Sequence, residues 1–133
     1  MELSPYLFFS GTCEEALKFY EENIGAKIEA VMKHAGSPME EHVPAEWRDK
    51  VMHARFKVGD VTVMAADAPP DHYAKPQGFS LSLSSKDAAE GEEVFNKLAA
   101  GGSVQMPFGP TFWAKGFGMC TDRYGIGWMI NCE

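Results

Sequence analysis

The sequence predicts an α+β fold of two β-α-β-β-β modules, their strands forming a cupped mixed sheet around a cavity. Three observations predict it. A strand, helix and strand order at the start of the chain recurs in the second half. Each half holds one segment of helical apolar period, followed by segments with two-residue alternation. A stretch over 68–77 carrying Pro69, Pro70 and Pro76 separates the halves. Module one then covers about 1–67 and module two about 78–133, within one domain of 133 residues.

Pro5-Tyr6-Leu7-Phe8-Phe9 opens the first module as a short apolar strand. Thr12 and Glu15 form a T-x-x-E capping box. Cys13, Ala16, Leu17, Tyr20 and Ile24 then recur on one helical face, with a stop at Gly25. Ile28 to Lys33 predicts a strand, and His34 to Asp49 a long loop. Met52, Ala54, Phe56 and Val58 alternate with His53, Arg55 and Lys57, which predicts a strand with one apolar face. Gly59-Asp60 is its hairpin turn, and Val61, Val63 and Ala65 return.

Phe79 to Leu83 opens the second module as a strand. The second helix runs over 87–100, with Asp87 and Glu90 as a cap pair and Gly91, Val94, Phe95 and Leu98 as its buried stripe. Val104 to Met106 predicts a short strand, Pro107 to Ala114 a loop, and Lys115 to Thr121 a strand. A turn at Asp122 to Gly125 leads to a closing strand, Trp128 to Cys132.

The hydrophobic fraction of 45% and charged fraction of 23% fit a soluble globular chain. A net charge of -7 argues against nonspecific binding to nucleic acid and against adsorption to anionic membranes. Cys13, Cys120 and Cys132 form no CxxC pair and no complete disulfide set. With no signal-peptide pattern and no apolar run that spans a bilayer, a reducing cytoplasmic setting is expected. The open sheet edges favour a homodimer.

Candidate site residues follow from residue type and position. His53 lies on the polar face of its strand, where an imidazole could serve as base, donor or lone metal ligand. Asp67 ends the strand before the linker, placed to hold an amine or act as a base, or to bind backbone amides of the turn. Trp113 and Phe117 flank Lys115, a pattern for an apolar pocket with an anion anchor. Tyr6, Ser80 and Asn131 would supply neutral polar lining. Trp113, Lys115, Phe117, Tyr6, Ser80 and Asn131 are therefore the expected ligand contacts. His34, His42 and His72 read as solvated loop residues, and the cysteines lack the basic neighbours of a nucleophile.

Several stretches resemble the vicinal oxygen chelate superfamily (the glyoxalase/bleomycin-resistance fold), and more closely its PhnB-like branch. They are Ser4-Pro5-Tyr6-Leu7, Ala16-Leu17-Lys18-Phe19-Tyr20, the strand around His53, Met64 to Asp67, Thr111 to Gly118, and Thr121 to Gly125 with Trp128-Met129-Ile130-Asn131. The resemblance implies a cavity that takes a small molecule and a homodimeric assembly. In metal-dependent members it implies one divalent ion held by His or Glu. The matching positions here fall near Pro5, Met64, Ser80 and Met129, whose chemistry does not suit Zn, Ni, Mn or Fe. No cofactor is therefore predicted, with a divalent ion left open but unmatched to ligands. The branch also often carries a demethylubiquinone methyltransferase label, yet the chain lacks the Gly-rich turn of a Rossmann-type methyltransferase. The expected function is small-molecule binding without the metal quartet. A metal-dependent lyase or dioxygenase and a sequestering, resistance-type protein are the alternatives.

Overall fold

The computed structural model describes all residues, 1–133. They form two compact units, Met1–Ala74 and Lys75–Glu133, and the division falls inside the Pro-rich stretch. Each unit is a four-stranded mixed sheet with one helix, so the fold class is α+β.

The first unit contains β1 (Tyr6–Phe9), α1 (Cys13–Ile24), β2 (Lys27–Lys33), β3 (Val51–Val58) and β4 (Val61–Asp67), in the sheet order β1-β4-β3-β2. β1 and β4 are parallel, and the other neighbours antiparallel. Alternation sends Leu7, Phe9, Ala54, Phe56, Val63 and Ala65 to a buried face. α1 covers that face with Cys13, Ala16, Leu17 and Tyr20, and the Tyr20 ring stacks on Phe56 with centroids 5.9 Å apart. Tyr6, Phe8, His53, Arg55 and Met64 fall on the opposite, open face.

Two details correct the sequence reading. Thr12 occupies the N-cap of α1, but its side chain makes no capping bond. The Cys13 N–H donates instead to Asp67 Oδ1, 54 residues away, at 2.9 Å. The T-x-x-E spacing is a local signal, and the helix N-terminus here is instead met from outside the segment, by a buried carboxylate at the end of a neighbouring strand. In β3, strict alternation breaks at Met52. Met32 pairs with His53 and Lys33 with Val51, so Met52 is a bulge residue without a cross-strand partner. The extra residue lets Val51 and Ala54 both reach the buried side, three positions apart. Met52 is thereby released from the apolar face expected for it and is half-buried. The loop after β2 contains two short 3-10 turns, Glu40–His42 and Ala45–Trp47.

The second unit contains β5 (Leu81–Ser84), α2 (Ala88–Ala99), β6 (Ser103–Gly109), β7 (Gly116–Thr121) and β8 (Gly127–Cys132), in the order β5-β8-β7-β6. β5 and β8 are parallel, repeating the β1 and β4 arrangement. Asp87 caps α2 as expected, its Oδ1 accepting from Ala89 N at 2.9 Å and Glu90 N at 3.4 Å. Gly91, Phe95 and Leu98 form the buried stripe. The first strand starts later than expected, which leaves Phe79 and Ser80 ahead of it. β6 runs through Pro107 to Gly109, beyond the predicted Met106, because an edge strand tolerates a residue without an N–H and two register shifts absorb the mismatch with β7. No helix is long and apolar enough to cross a membrane.

Candidate functional site

On the open face of the first sheet, Tyr6 pairs with Met64 in β4, and His53 lies one residue before the Ala54–Ala65 pair. Tyr6 Oη and His53 Nδ1 are 2.9 Å apart, a hydrogen bond whose donor is set by the imidazole tautomer. The bond spans from β1 to β3 across β4, where Ala66 offers only a methyl group. Phe8 stacks on Tyr6 with centroids 4.9 Å apart, and the imidazole lies 5.7 Å from the phenol ring centre. Beside this cluster is a cavity of about 400 Å³ lined by Tyr6, Phe8, Met52, Ala66, Pro69 and His72. Burial raises the Tyr6 phenol above its ordinary range, with a smaller contribution from Cys13, so the hydroxyl keeps its proton at neutral pH.

Asp67 also touches this cavity, but its carboxylate is committed elsewhere. Oδ1 accepts from Cys13 N and Oδ2 from Val51 N, both at 2.9 Å, and the residue is buried. That geometry ties the start of β3 to the start of α1. Both amides belong to other elements and not to the turn after β4, and each carboxylate oxygen is oriented by one backbone bond.

The second unit brings four of the predicted residues together. Trp113 Nε1 donates to Asn131 Oδ1 at 3.3 Å, and the indole meets Phe117 edge-on at 5.2 Å. Phe117 and Asn131 are cross-strand partners in β7 and β8, so they share the open face. Thr111 Oγ1 holds the Trp113 loop by accepting from Trp113 N at 3.3 Å and Ala114 N at 3.0 Å. The Lys115 N–H donates to Cys132 O at 2.7 Å, which sets Lys115 at the margin of β8. A cavity of about 460 Å³ is lined there by Ser84, Ser85, Lys86, Lys115, Asn131 and Glu133. Ser80 is not part of this group. It lines a smaller cavity of about 240 Å³ with Met119, Gly127 and Trp128.

Of the charged lining residues, Lys86 and Glu133 carried no motif in the sequence, whereas His72 borders the first cavity and is the solvated loop residue expected of it, its side chain 74% exposed. The adjacency of Lys86 to Ser84-Ser85 at a strand-to-helix joint was the available signal for Lys86. All three cysteines are buried, and burial pushes each thiol up, that of Cys120 from 9.0 to about 11. They behave as apolar core groups, not nucleophiles.

A divalent ion of the kind bound by metal-dependent superfamily members does not fit these side chains. No three His, Cys, Asp or Glu residues converge anywhere in the chain. The open face offers a single imidazole, His53, already bonded to the Tyr6 phenol, with the Met64 thioether near by, and Asn131 already accepts from an indole. One imidazole without a second imidazole or a carboxylate beside it, and a thioether suited to soft ions, do not make a ligand set for Zn, Ni, Mn or Fe.

Comparison with known proteins agrees with the fold. A family model described as 3-demethylubiquinone-9 3-methyltransferase matches residues 1–131. Protein YjdN of Escherichia coli is 36% identical, with 98% of this chain and 95% of that protein covered. The crystal structure of protein PA1353 from Pseudomonas aeruginosa is 49% identical, covers 100% of this chain and 98% of its own, and superposes with a TM-score of 0.90. A PhnB protein from Bacillus cereus is 25% identical, with 100% of both chains covered and a TM-score of 0.85. A glyoxylase/bleomycin resistance protein/dioxygenase domain from Frankia, 13% identical at a TM-score of 0.65 over 99% of this chain and 96% of its own, shares the fold alone.

Proposed function

This chain belongs to the 3-demethylubiquinone-9 3-methyltransferase family, the PhnB-like branch of the vicinal oxygen chelate superfamily, and from that premise we propose that it binds a small molecule on the open face of its first sheet without a metal quartet. The Tyr6–His53 hydrogen bond beside the apolar cavity is the observation that carries this reading. A phenol and an imidazole in contact can exchange roles. When Nδ1–H donates to Tyr6 Oη, the phenol hydrogen is available to a ligand oxygen and the Nε2 lone pair is available as a base. Phe8, Ala66 and Met52 would supply the apolar wall against which a planar carbonyl compound lies. Tyr6 would polarise the carbonyl while His53 takes a proton from the neighbouring carbon. Asp67 would hold the backbone of the site together and would not contact the ligand.

Methyl transfer in the Rossmann manner is not part of this reading. Gly11 stands alone between β1 and α1, and the helix N-terminus it precedes carries Asp67, Glu14 and Glu15, which would repel an anionic cofactor group. The sequestering alternative rests on Trp113, whose indole is 46% exposed in the second unit.

The test is a fragment screen by ligand-observed NMR on the untreated chain and on Tyr6→Phe and His53→Ala. Planar carbonyl fragments should bind the parent, weaken about tenfold in Tyr6→Phe, where a charge-free hydrogen bond is lost, and exchange their α-protons for deuterium only when His53 is present. Hits that bind all three proteins equally would sink the assignment. Equimolar quenching of Trp fluorescence by an unaltered ligand would favour sequestration. Parallel metal analysis after chelation addresses the lyase or dioxygenase alternative.

A further inference from the structure

We propose that the second unit carries an oxyanion-binding site at the margin of β5 and β8, for a small molecule bearing a carboxylate or a phosphate. This goes beyond the function proposed for the first sheet and stands on different residues.

The cavity of about 460 Å³ there is lined by two lysines, Lys86 and Lys115, in a chain of net charge -7. Three lysines elsewhere are answered from within, Lys33 by Glu14 at 3.5 Å, Lys97 by Glu93 at 3.2 Å and Lys50, whose Nζ donates to Gly11 O at 2.9 Å, whereas this pair shares one cavity with the Asn131 amide. Lys86 and Lys115 have no ion pair and no side-chain hydrogen bond. The Ser84 hydroxyl is likewise without a partner, whereas Ser85 Oγ is engaged by Asp87.

The backbone beneath these groups is rigid. Ser84 and Asn131 are paired across β5 and β8, Ser85 N donates to Asn131 O at 3.0 Å, and Lys115 N donates to Cys132 O. Three chain segments are thus tied at the point from which the donors project. Asn131 is also oriented. Its Oδ1 accepts from Trp113 Nε1, which turns Nδ2 away from the indole toward Glu133 Oε1, at 3.3 Å. Glu133 carries the one negative side chain in the lining, and Asn131 Nδ2 already donates to its Oε1 at 3.3 Å, the kind of oxygen the site would take from a ligand. A ligand oxyanion would displace it and gain both ammonium groups as well. The start of α2 does not contribute, because Asp87 already accepts from Ala89 N and Glu90 N.

The experiment is a titration of the whole chain with inorganic phosphate and, separately, acetate at constant ionic strength, followed by backbone amide NMR. Saturable shifts should centre on Ser84, Ser85, Lys115 and Asn131. The double variant Lys86→Ala/Lys115→Ala should bind about tenfold more weakly, since two charge-assisted bonds are lost. Both lysines are exposed, so this variant should keep the remaining spectrum. Glu133→Gln should bind more tightly than the parent, because the competing carboxylate is gone. Tighter saturation by phosphate assigns a phosphoryl ligand, and tighter saturation by acetate a carboxylate. Shifts that stay linear for both ions, or a double variant with unchanged affinity, would overturn the site.

Discussion

The two units follow one plan but hold it together with different chemistry. In the first, a helix ring meets a strand ring, Tyr20 stacking on Phe56 at 5.9 Å, with Ala54, Ala65 and Leu17 also buried in that unit. In the second, the large groups are Phe95 and Phe108, 5.8 Å apart, and glycines make room for them. A Cβ at Gly91 would collide with Cys132 Sγ, one at Gly116 with the Phe108 ring, and one at Gly118 would lie 2.8 Å from the Phe95 ring. Each unit also buries one carboxylate, at different places. Asp67 joins α1 to β3 through two backbone amides. Asp122 holds the turn between β7 and β8, accepting from Tyr124 N at 2.8 Å, Ile126 N at 3.1 Å and Trp128 Nε1 at 2.8 Å. Duplicated topology therefore does not require duplicated contacts. It requires only that each sheet cover one face and satisfy its buried donors.

The largest expected effect separates those two carboxylates. Asp122→Ala strands three donors and should cost about 3–5 kcal/mol, whereas Asp67→Ala strands two and should cost about 2–4 kcal/mol. Urea unfolding monitored by far-UV circular dichroism measures both. Equal or reversed losses would mean that donor count does not govern these sites.

Next in size is the glycine interface. Gly91→Ala should destabilise by about 1–3 kcal/mol, despite alanine's better helix propensity, because the methyl overlaps Cys132 Sγ. In the first unit, Ala16→Gly should cost only about 1 kcal/mol, the propensity term with little repacking. A neutral Gly91→Ala would show that α2 can shift off its sheet.

A smaller effect concerns pH. Burial, helped by the Asp122 charge, raises the Cys120 thiol from 9.0 to about 11. Between those values the unfolded chain releases a proton that the folded chain retains, so stability is full below pH 9 and falls as pH rises through about 11. Urea midpoints measured from pH 9 up to about pH 11 should decline less in Cys120→Ala than in the parent. The smallest perturbation is chemical. In native buffer a thiol reagent should modify none of the three cysteines rapidly, and all three once the chain is unfolded. Fast labelling of Cys132 alone would show that the edge of the second unit opens more readily than the α1 side.

Much of the fold was legible in the chain. The two helices, the Gly25 stop, the Asp87 cap and the Gly59-Asp60 turn rest on periodicity and turn chemistry that act over a few residues, and they stand where expected. Trp113, Lys115 and Phe117 could be grouped from the sequence because they lie within five residues, whereas Asn131, which the sequence placed with Tyr6 and Ser80, joins Trp113 only through the fold. Thr12 has the right spacing but makes no capping bond, and the carboxylate that meets the helix start comes from another strand. Ser80 lies ahead of its strand because β5 begins at Leu81, two residues after the expected Phe79.

By itself the sequence determined the element types, their order and the repeat, because apolar period and turn residues are local properties of the chain. Only the tertiary structure decided which side chains meet. Tyr6 finds His53 across 47 residues, and Asp67 finds Cys13 across 54, through sheet registers that include a one-residue bulge. One residue of slip would send each of these side chains to the opposite face, and no local pattern records that choice.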